Sequence, residues 1–286
     1  MKLTNIGWTH STINGSSGCD GCELWNDLTH TCYAGQVHQN RLALSLPHLY
    51  ARDFGEVRMI PGRFEQAAKW GPPTPAENAD KPWFAGQPRH IFVGDMGDFL
   101  SDAVTDDFLE RELLAAVTSK AGQRHVWQWL TKRPARLAQL SEKWGGLPDN
   151  VVAMTTVTNQ RTADVRIPEL LKVRCKTRGV SAEPLLGPVD FDFGHPKWRT
   201  AESYHSYIHW VIVGGESGAG CRPMQADWAR SIRDQCAAAG VAFFFKQWGG
   251  VRKEAHGRIL DGKTHDEIPA FAEESNIRDE GRAGSA

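Results

Sequence analysis

Three cysteines lie close together near the N-terminus: Cys19, Cys22 and Cys32, which are half of the six cysteines in the chain. Thiolates are soft ligands that suit an iron–sulfur cluster or zinc, and an odd number of them cannot all pair in disulfides. Because the segment supplies three ligands, one coordination position stays open, as in catalytic metal sites. The sequence therefore predicts a metal centre held by these cysteines.

Iron–sulfur and zinc chemistry are both compatible with these residue types. In a cubic cluster each thiolate binds one iron, which leaves the fourth iron free for a cofactor or substrate. The alternative is structural zinc, because Cys19 and Cys22 have the spacing of a zinc site. A fourth zinc ligand would then come from His10, His30 or His38. Free or redox-active thiols are a further alternative, and we favour the cluster.

Charged residues follow several of the predicted strands. Asp95 and Asp98 come directly after one apolar run, and Glu183, Glu216 and Lys246 come after three others. In a parallel barrel the carboxyl ends of the strands form the catalytic face. We therefore predict that Glu183, Glu216 and Lys246 act on a substrate. The alternatives are a helix cap at Asp98 and a structural network of salt bridges at the rim.

Short apolar runs predict the strands that would position these residues. Such runs are typical of parallel strands buried on both faces. They cover residues 90–94, 125–131, 151–157, 179–182, 209–213 and 241–245, and a first strand is predicted at 3–9. Helical patterns lie between them: Thr105 is a predicted N-cap, Pro134 begins a helix, and Gly240 ends one.

This alternation predicts an α/β fold. We expect a parallel β/α barrel, complete or partial, of six to seven strands, with a doubly wound open sheet as the alternative. One barrel domain is predicted over residues 1–250, with an inserted loop at about 191–208. Residues 251–286 are predicted to form a partly mobile C-terminal extension.

The composition is that of a globular protein, with 41% apolar and 23% charged residues. A net charge of -1 gives no general attraction for nucleic acids. The N-terminus lacks the apolar core of a signal peptide, and no stretch approaches the roughly 20 apolar residues of a membrane span. Clustered cysteines without an export signal predict a cytoplasmic protein with no membrane partner.

Longer segments resemble the phage Gp37/Gp68-like family, a three-cysteine-motif family that itself resembles radical S-adenosylmethionine (SAM) enzymes. The matching segments occur along nearly the whole chain: Trp8-Thr-His-Ser-Thr-Ile-Asn14, Cys32-Tyr-Ala34, Leu130-Thr-Lys-Arg-Pro134, Ser181-Ala-Glu-Pro184, Val213-Gly-Gly-Glu-Ser-Gly218 and Phe244-Phe-Lys-Gln-Trp-Gly249. The cysteine spacing departs from the pattern, because the second gap is nine residues and is shorter in most radical SAM proteins.

The resemblance implies a radical SAM-like barrel in which Cys19, Cys22 and Cys32 hold a [4Fe–4S] cluster. S-adenosyl-L-methionine would be cleaved there to a 5′-deoxyadenosyl radical, with an electron donor protein as partner. The radical would abstract hydrogen from a substrate, and the phage association suggests a nucleotide or nucleic acid, in modification or repair. A zinc-stabilised binding protein and a cluster hydrolyase that does not use SAM are the alternatives.

The same resemblance suggests which residues contact the cofactor. The acidic segment with Asp95 and Asp98 would hold the amino group of SAM. Threonines at the end of a strand would bind its ribose, and the glycine-rich segment after residue 213 could hold a phosphate through backbone N–H groups. The further predicted cofactor contacts are therefore Tyr33, Thr156, Thr158, Gly214 and Gly215.

Overall fold

A computed structural model of the protein describes residues 4–193, 208–252 and 256–271. In these ranges the strands are β1 (Ser11–Ile13), β2 (Ser16–Ser17), β3 (Trp25–Asn26), β4 (Thr29–His30), β5 (Arg58–Met59), β6 (Arg89–Val93), β7 (His125–Thr131), β8 (Val151–Thr156), β9 (Thr177–Ala182), β10 (Trp210–Gly214) and β11 (Ala242–Gln247).

The helices of the same ranges alternate with the later strands. They are α1 (Tyr33–Val37), α2 (Ala43–Ser45), α3 (Arg63–Ala68), α4 (Pro75–Asp80), α5 (Asp106–Phe108), α6 (Ala115–Thr118), α7 (Pro134–Lys143), α8 (Gln160–Leu171) and α9 (Ala226–Ala239). Two π-helical segments, His38–Leu42 and Leu109–Leu114, make the chain helical from 33 to 45 and from 106 to 118. Short 3-10 turns cover Pro82–Phe84 and Gly122–Arg124.

Seven strands form one curled, all-parallel sheet in the order β1-β6-β7-β8-β9-β10-β11. The order follows the chain without a reversal, so the doubly wound alternative is wrong. β1 and β11 are the two ends of this order, and the sheet is a half-barrel. The prediction of six to seven parallel strands in a partial barrel is confirmed.

The predicted first strand at residues 3–9 is wrong, because β1 begins only at Ser11. The backbone of residues 4–9 is held by a side chain: Lys81 Nζ donates to the carbonyls of Thr4, Ile6 and Thr9 at 2.5–2.9 Å. Trp8 is buried at the inner face of the sheet, where its ring lies 4.7 Å from that of Phe92. The apolar residues of this segment therefore fill the half-barrel.

Two apolar clusters share the strands by alternation, as expected for side chains that point to opposite faces. In β7, Trp127 and Trp129 belong to the outer cluster between sheet and helices, whereas Val126 belongs to the inner one. The inner cluster consists of Trp8, Phe92, Val126, Val152, Met154, Trp210, Ile212 and Phe244. It forms an apolar floor inside the curl, so that the carboxyl ends of the strands are left for polar groups.

The predicted helix ends are confirmed. Thr105 accepts a hydrogen bond from the Phe108 N–H, Pro134 is the first residue of α7, and Gly240 ends α9 in the left-handed conformation at φ +67°. In the parts of the chain that the structure describes, no helix is both long and apolar enough to cross a membrane.

Residues 256–271 of the predicted extension pack onto the sheet. Asp266 forms an antiparallel bridge with Phe244 of β11, and the Phe245 N–H donates to the His265 carbonyl at 2.9 Å. Leu260 is fully buried in the outer cluster. This part of the extension therefore covers the edge of the sheet, while most of the predicted insert (194–207) and the chain end (272–286) lie outside the described residues.

Candidate functional site

A cavity of about 980 Å³ lies at the carboxyl ends of the sheet strands, above the inner apolar cluster. Its size is at the upper end of the range for pockets that bind small molecules. Most of the predicted site residues line it: Cys19, Cys22, Cys32, Tyr33, Asp95, Asp98, Thr156, Glu183, Gly215, Glu216 and Lys246. The fold therefore brings together residues that are more than two hundred positions apart in sequence.

The cysteine loop has little regular structure, and its backbone is fixed by a few hydrogen bonds. The Cys19 N–H donates to the Phe54 carbonyl at 2.8 Å. Cys22 pairs with Trp25 in a one-residue antiparallel bridge. The Leu24 carbonyl accepts hydrogen bonds from both Thr31 and Cys32. These contacts fold the loop back so that all three cysteines face one cavity.

Arginines of the half-barrel bind the loop beside each cysteine. Arg133 pairs with Asp20, next to Cys19. Arg166 of α8 holds both oxygens of Glu23, next to Cys22, at 2.9 and 2.6 Å. Such two-point arginine–carboxylate pairs fix geometry as well as charge.

The third contact is longer. Arg222 lies 3.5 Å from the hydroxyl of Thr31, the residue before Cys32. We name these three contacts, Asp20–Arg133, Glu23–Arg166 and Thr31–Arg222, the loop clamps.

The three cysteines are free thiols and are half-buried. The Leu24 N–H lies 3.4 Å from the Cys22 sulfur. Burial raises the pKa of the Cys22 thiol, although the nearby Lys132 ammonium acts in the opposite direction. Soft donors on one wall of a cavity suit the donor set of an iron–sulfur cluster.

The described residues contain no group of three His, Cys, Asp or Glu side chains placed to hold a single metal ion. A tetrahedral zinc ion requires its ligands around one centre, whereas each thiolate of a cluster binds a different iron. Both the cluster and the zinc alternative therefore stay predictions.

Two of the histidines that would complete a zinc site are engaged elsewhere. His10 is buried, and its Nδ1 accepts a hydrogen bond from the His90 N–H. The Nε2 of His38 lies 2.7 Å from the Ala51 carbonyl. His30 is exposed, with its ring 4.6 Å from that of Trp25.

Asp98 is held by protein donors on both oxygens. It accepts hydrogen bonds from the Thr131 hydroxyl and from the N–H groups of Leu100 and Lys132, all at 2.8–3.0 Å. Arg133 adds an ion pair at 3.3 Å. Asp98 therefore joins the ends of β6 and β7, which is a structural role beside the predicted contact with a cofactor.

Asp95 is bound on the same rim. It accepts a hydrogen bond from Asn14 Nδ2 at 2.6 Å, and the Asn14 oxygen accepts the Met96 N–H in turn. This pair fixes the end of β6 against the residue that follows β1. Its carboxylate also lines the cavity.

The predicted catalytic residues carry ion pairs. Lys246 pairs with Glu183, so the ends of β9 and β11 are linked across β10. Arg222 binds both oxygens of Glu216, at 2.6 and 2.8 Å. Burial raises the pKa of Glu216, but the Arg222 guanidinium outweighs this and holds the pKa below its usual value. Glu216 is therefore an ionised carboxylate in neutral solution.

Close packing explains why glycine occupies both Gly214 and Gly215 in the segment predicted to hold a phosphate. A Cβ on Gly215 would lie 1.9 Å from the Trp248 carbonyl oxygen, and one on Gly214 would lie 3.2 Å from the Glu183 side chain. The missing side chains let β11 approach and leave room for Glu183.

Gly214 and Thr158 are not among the residues that line the cavity, and the Thr158 hydroxyl lies 3.4 Å from that of Thr162 at the start of α8.

Sequence reasoning missed several cavity residues. Arg41, Tyr50 and Arg63 line the wall formed by residues 33–50 and α3, and Arg166 and Arg222 hold the cysteine loop. No local pattern distinguishes these arginines from exposed ones, because their partners are remote in sequence.

Comparison with known proteins gives a family. No curated protein and no solved structure matches the chain. One family does match, and it covers residues 3–269, which include the cysteine loop, the half-barrel and the segment that covers β11. The chain belongs to the family described as Protein of unknown function (DUF5131).

Proposed function

We propose that this protein is a radical SAM-like [4Fe–4S] enzyme. The observation that supports it best is that Cys19, Cys22 and Cys32 share one cavity with Glu183 and Lys246 at the carboxyl end of a curled parallel sheet. Enzymes built on parallel β/α barrels place their reactive groups at this end.

The three cysteines would hold the cluster, which when bound supplies one electron for the cleavage of SAM to a 5′-deoxyadenosyl radical. The Lys132 side chain lies near Cys22 and would offset part of the negative charge of the thiolates. Asp98 is already bound by protein donors on both oxygens and Asp95 is bound by Asn14, so the buried Thr156 is the better candidate for contact with SAM.

The opposite wall would receive the substrate. Glu183 and Lys246 present a carboxylate and an ammonium group there. Below them, Phe92 and Leu130 give the cavity an apolar floor. A water-poor floor would protect a reactive radical from side reactions.

Anaerobic purification tests the proposal. We expect a brown protein with about four irons per chain that forms 5′-deoxyadenosine from SAM under reduction. Replacing Cys19, Cys22 or Cys32 singly by Ala should reduce the iron content to background, because each sulfur binds its own iron.

Cys175→Ala is the matched control, since Cys175 is also a free half-buried thiol but does not line the cavity. It should keep its iron. Unchanged iron in all three loop variants, or one zinc and no iron in the unmutated protein, would contradict the proposal.

A further inference from the structure

Among the charged groups that line the cavity, the carboxylates all have partners but some of the cations have none. Its four carboxylates, which all have partners, are Asp95, Asp98, Glu183 and Glu216. By contrast, the guanidinium groups of Arg41 and Arg63 form no hydrogen bond and no ion pair with any residue in 4–193, 208–252 or 256–271. The cavity therefore carries unpaired positive charge.

Arg63 is the most constrained of these cations. It is half-buried at the start of α3. Its Nε is inaccessible to solvent and has no hydrogen-bond acceptor in the described residues. A buried donor without a partner is costly, so a native structure normally supplies an acceptor. The described residues do not supply an acceptor at Nε, so the guanidinium can meet a ligand in the cavity only through its terminal N–H groups, for which no protein partner lies in the described residues.

Tyr50 and Arg63 flank the same short segment of the chain, because the Ser17 hydroxyl donates to the Leu49 carbonyl at 2.5 Å and the Phe64 ring lies against Gly15. The Tyr50 phenol lines the same cavity, and within the described part of the chain its hydroxyl has no hydrogen-bond partner. Burial raises the pKa of Tyr50, the Asp95 carboxylate adds to this, and the Arg63 guanidinium opposes it. The three side chains are thus close enough to influence one another, and Tyr50 stays protonated as a donor.

We propose that Arg63 and Tyr50 bind the phosphate group of a small phosphorylated substrate in this cavity. A guanidinium presents parallel N–H donors that match two phosphate oxygens, and a phenol adds a third donor. Two unpaired arginines, with no unpaired carboxylate beside them, favour a dianion over a carboxylate. The inference deepens the proposed function, on which it rests for the identification of this ligand as the substrate.

Calorimetric titration of the full-length protein, without SAM, tests the site with three probes: inorganic phosphate, thymidine 5′-monophosphate and thymidine. We expect both phosphates to bind and thymidine to bind at least about tenfold more weakly than its monophosphate. Arg63→Gln should weaken phosphate binding about tenfold or more, Arg63→Lys less, and Tyr50→Phe about threefold.

Arg111→Gln is the matched control, because it removes the same charge from an exposed helix outside the cavity. It should bind phosphate like the unmutated protein. Thermal unfolding should be unchanged in Arg63→Gln, because the Arg63 Nε has no acceptor among the described residues.

Absence of phosphate binding, equal affinity for thymidine and its monophosphate, or full affinity in Arg63→Gln would overturn the inference. Iron content and 5′-deoxyadenosine formation are measured on the same samples. Arg63-dependent phosphate binding in a protein without iron would refute the proposed function and leave this site intact. An active iron protein with full affinity in Arg63→Gln would refute this site alone.

Discussion

At the scale of single residues, a buried ion pair anchors the strand that leads to Asp95. Glu77 of α4 and Arg89 of β6 meet at 2.7 and 3.0 Å, with side chains that are 6% and 1% exposed. Arg89 also donates to the Gly71 carbonyl and to the Ser11 hydroxyl of β1. One guanidinium therefore connects two strands, a loop and a helix.

This pair predicts a pH-dependent stability. Burial raises the pKa of Glu77, but hydrogen bonds from Arg89 and Thr74 outweigh it and hold the pKa at about 2. The carboxyl has a pKa of about 4.3 when unfolded, so it stabilises the fold above that pH, and this is lost as the pH falls towards 2. Glu77→Gln should lower the free energy of unfolding by about 3 kcal/mol near neutral pH, measured by urea denaturation.

The difference between Glu77→Gln and the unmutated protein should shrink as the pH falls below about 4. Glu65→Gln is the control, because Glu65 of α3 forms an exposed pair with Lys69, the residue that follows this helix. Exposed pairs of this kind contribute little, so that variant should leave the urea denaturation curve nearly unchanged. A difference that stays constant with pH would contradict the role of the Glu77 charge.

At the scale of elements, the cysteine loop is a long segment that depends on its neighbours for order. Its only regular structure is the pairing of β3 with β4 and the bridge at Cys22. A Cβ on Gly18 would lie 2.6 Å from the Glu56 carbonyl oxygen, so the loop begins in close contact with the segment before β5. The loop clamps fix the rest, and their arginines come from the half-barrel.

Loss of one clamp should loosen the loop without unfolding the protein. Arg166→Gln removes the two-point contact with Glu23, and we expect amide hydrogen exchange across residues 19–32 to accelerate about tenfold. The exchange is measured by mass spectrometry on peptic fragments. Arg161→Gln, on the exposed side of the same helix α8, serves as the control. Equal exchange in both variants would show that Glu23–Arg166 does not order the loop.

At the scale of the whole molecule, the half-barrel is completed by segments that are not strands of its sheet. Residues 4–9 cross its inner face, and residues 256–271 cover the edge of β11. Arg230 and Arg233 of α9 both bind Asp261, which attaches the C-terminal segment to a helix as well. The segment therefore belongs to the same folded unit as the sheet.

Substitutions in the C-terminal segment test this unity. Leu260 is fully buried, so Leu260→Ala should lower the free energy of unfolding by about 2–4 kcal/mol. The adjacent Ile259 is 59% exposed, and Ile259→Ala should change it by less than about 0.5 kcal/mol. Both are measured by urea denaturation. Equal effects of the two substitutions would mean that the segment is not part of the cooperative core.

The amino-acid sequence by itself determined the strands and helix ends of the half-barrel, because apolar runs and capping residues act over a few neighbouring positions. It also determined that the charged ends of those strands share one face, since parallel strands align their carboxyl ends. The tertiary structure decided which cation pairs with each carboxylate there: Lys246 with Glu183, Arg222 with Glu216, and Arg133 with Asp98. It also decided that residues before β1 fill the interior, and that Arg63 and Tyr50 line the same cavity. Such partners are chosen through space, and no local spacing in the chain encodes them.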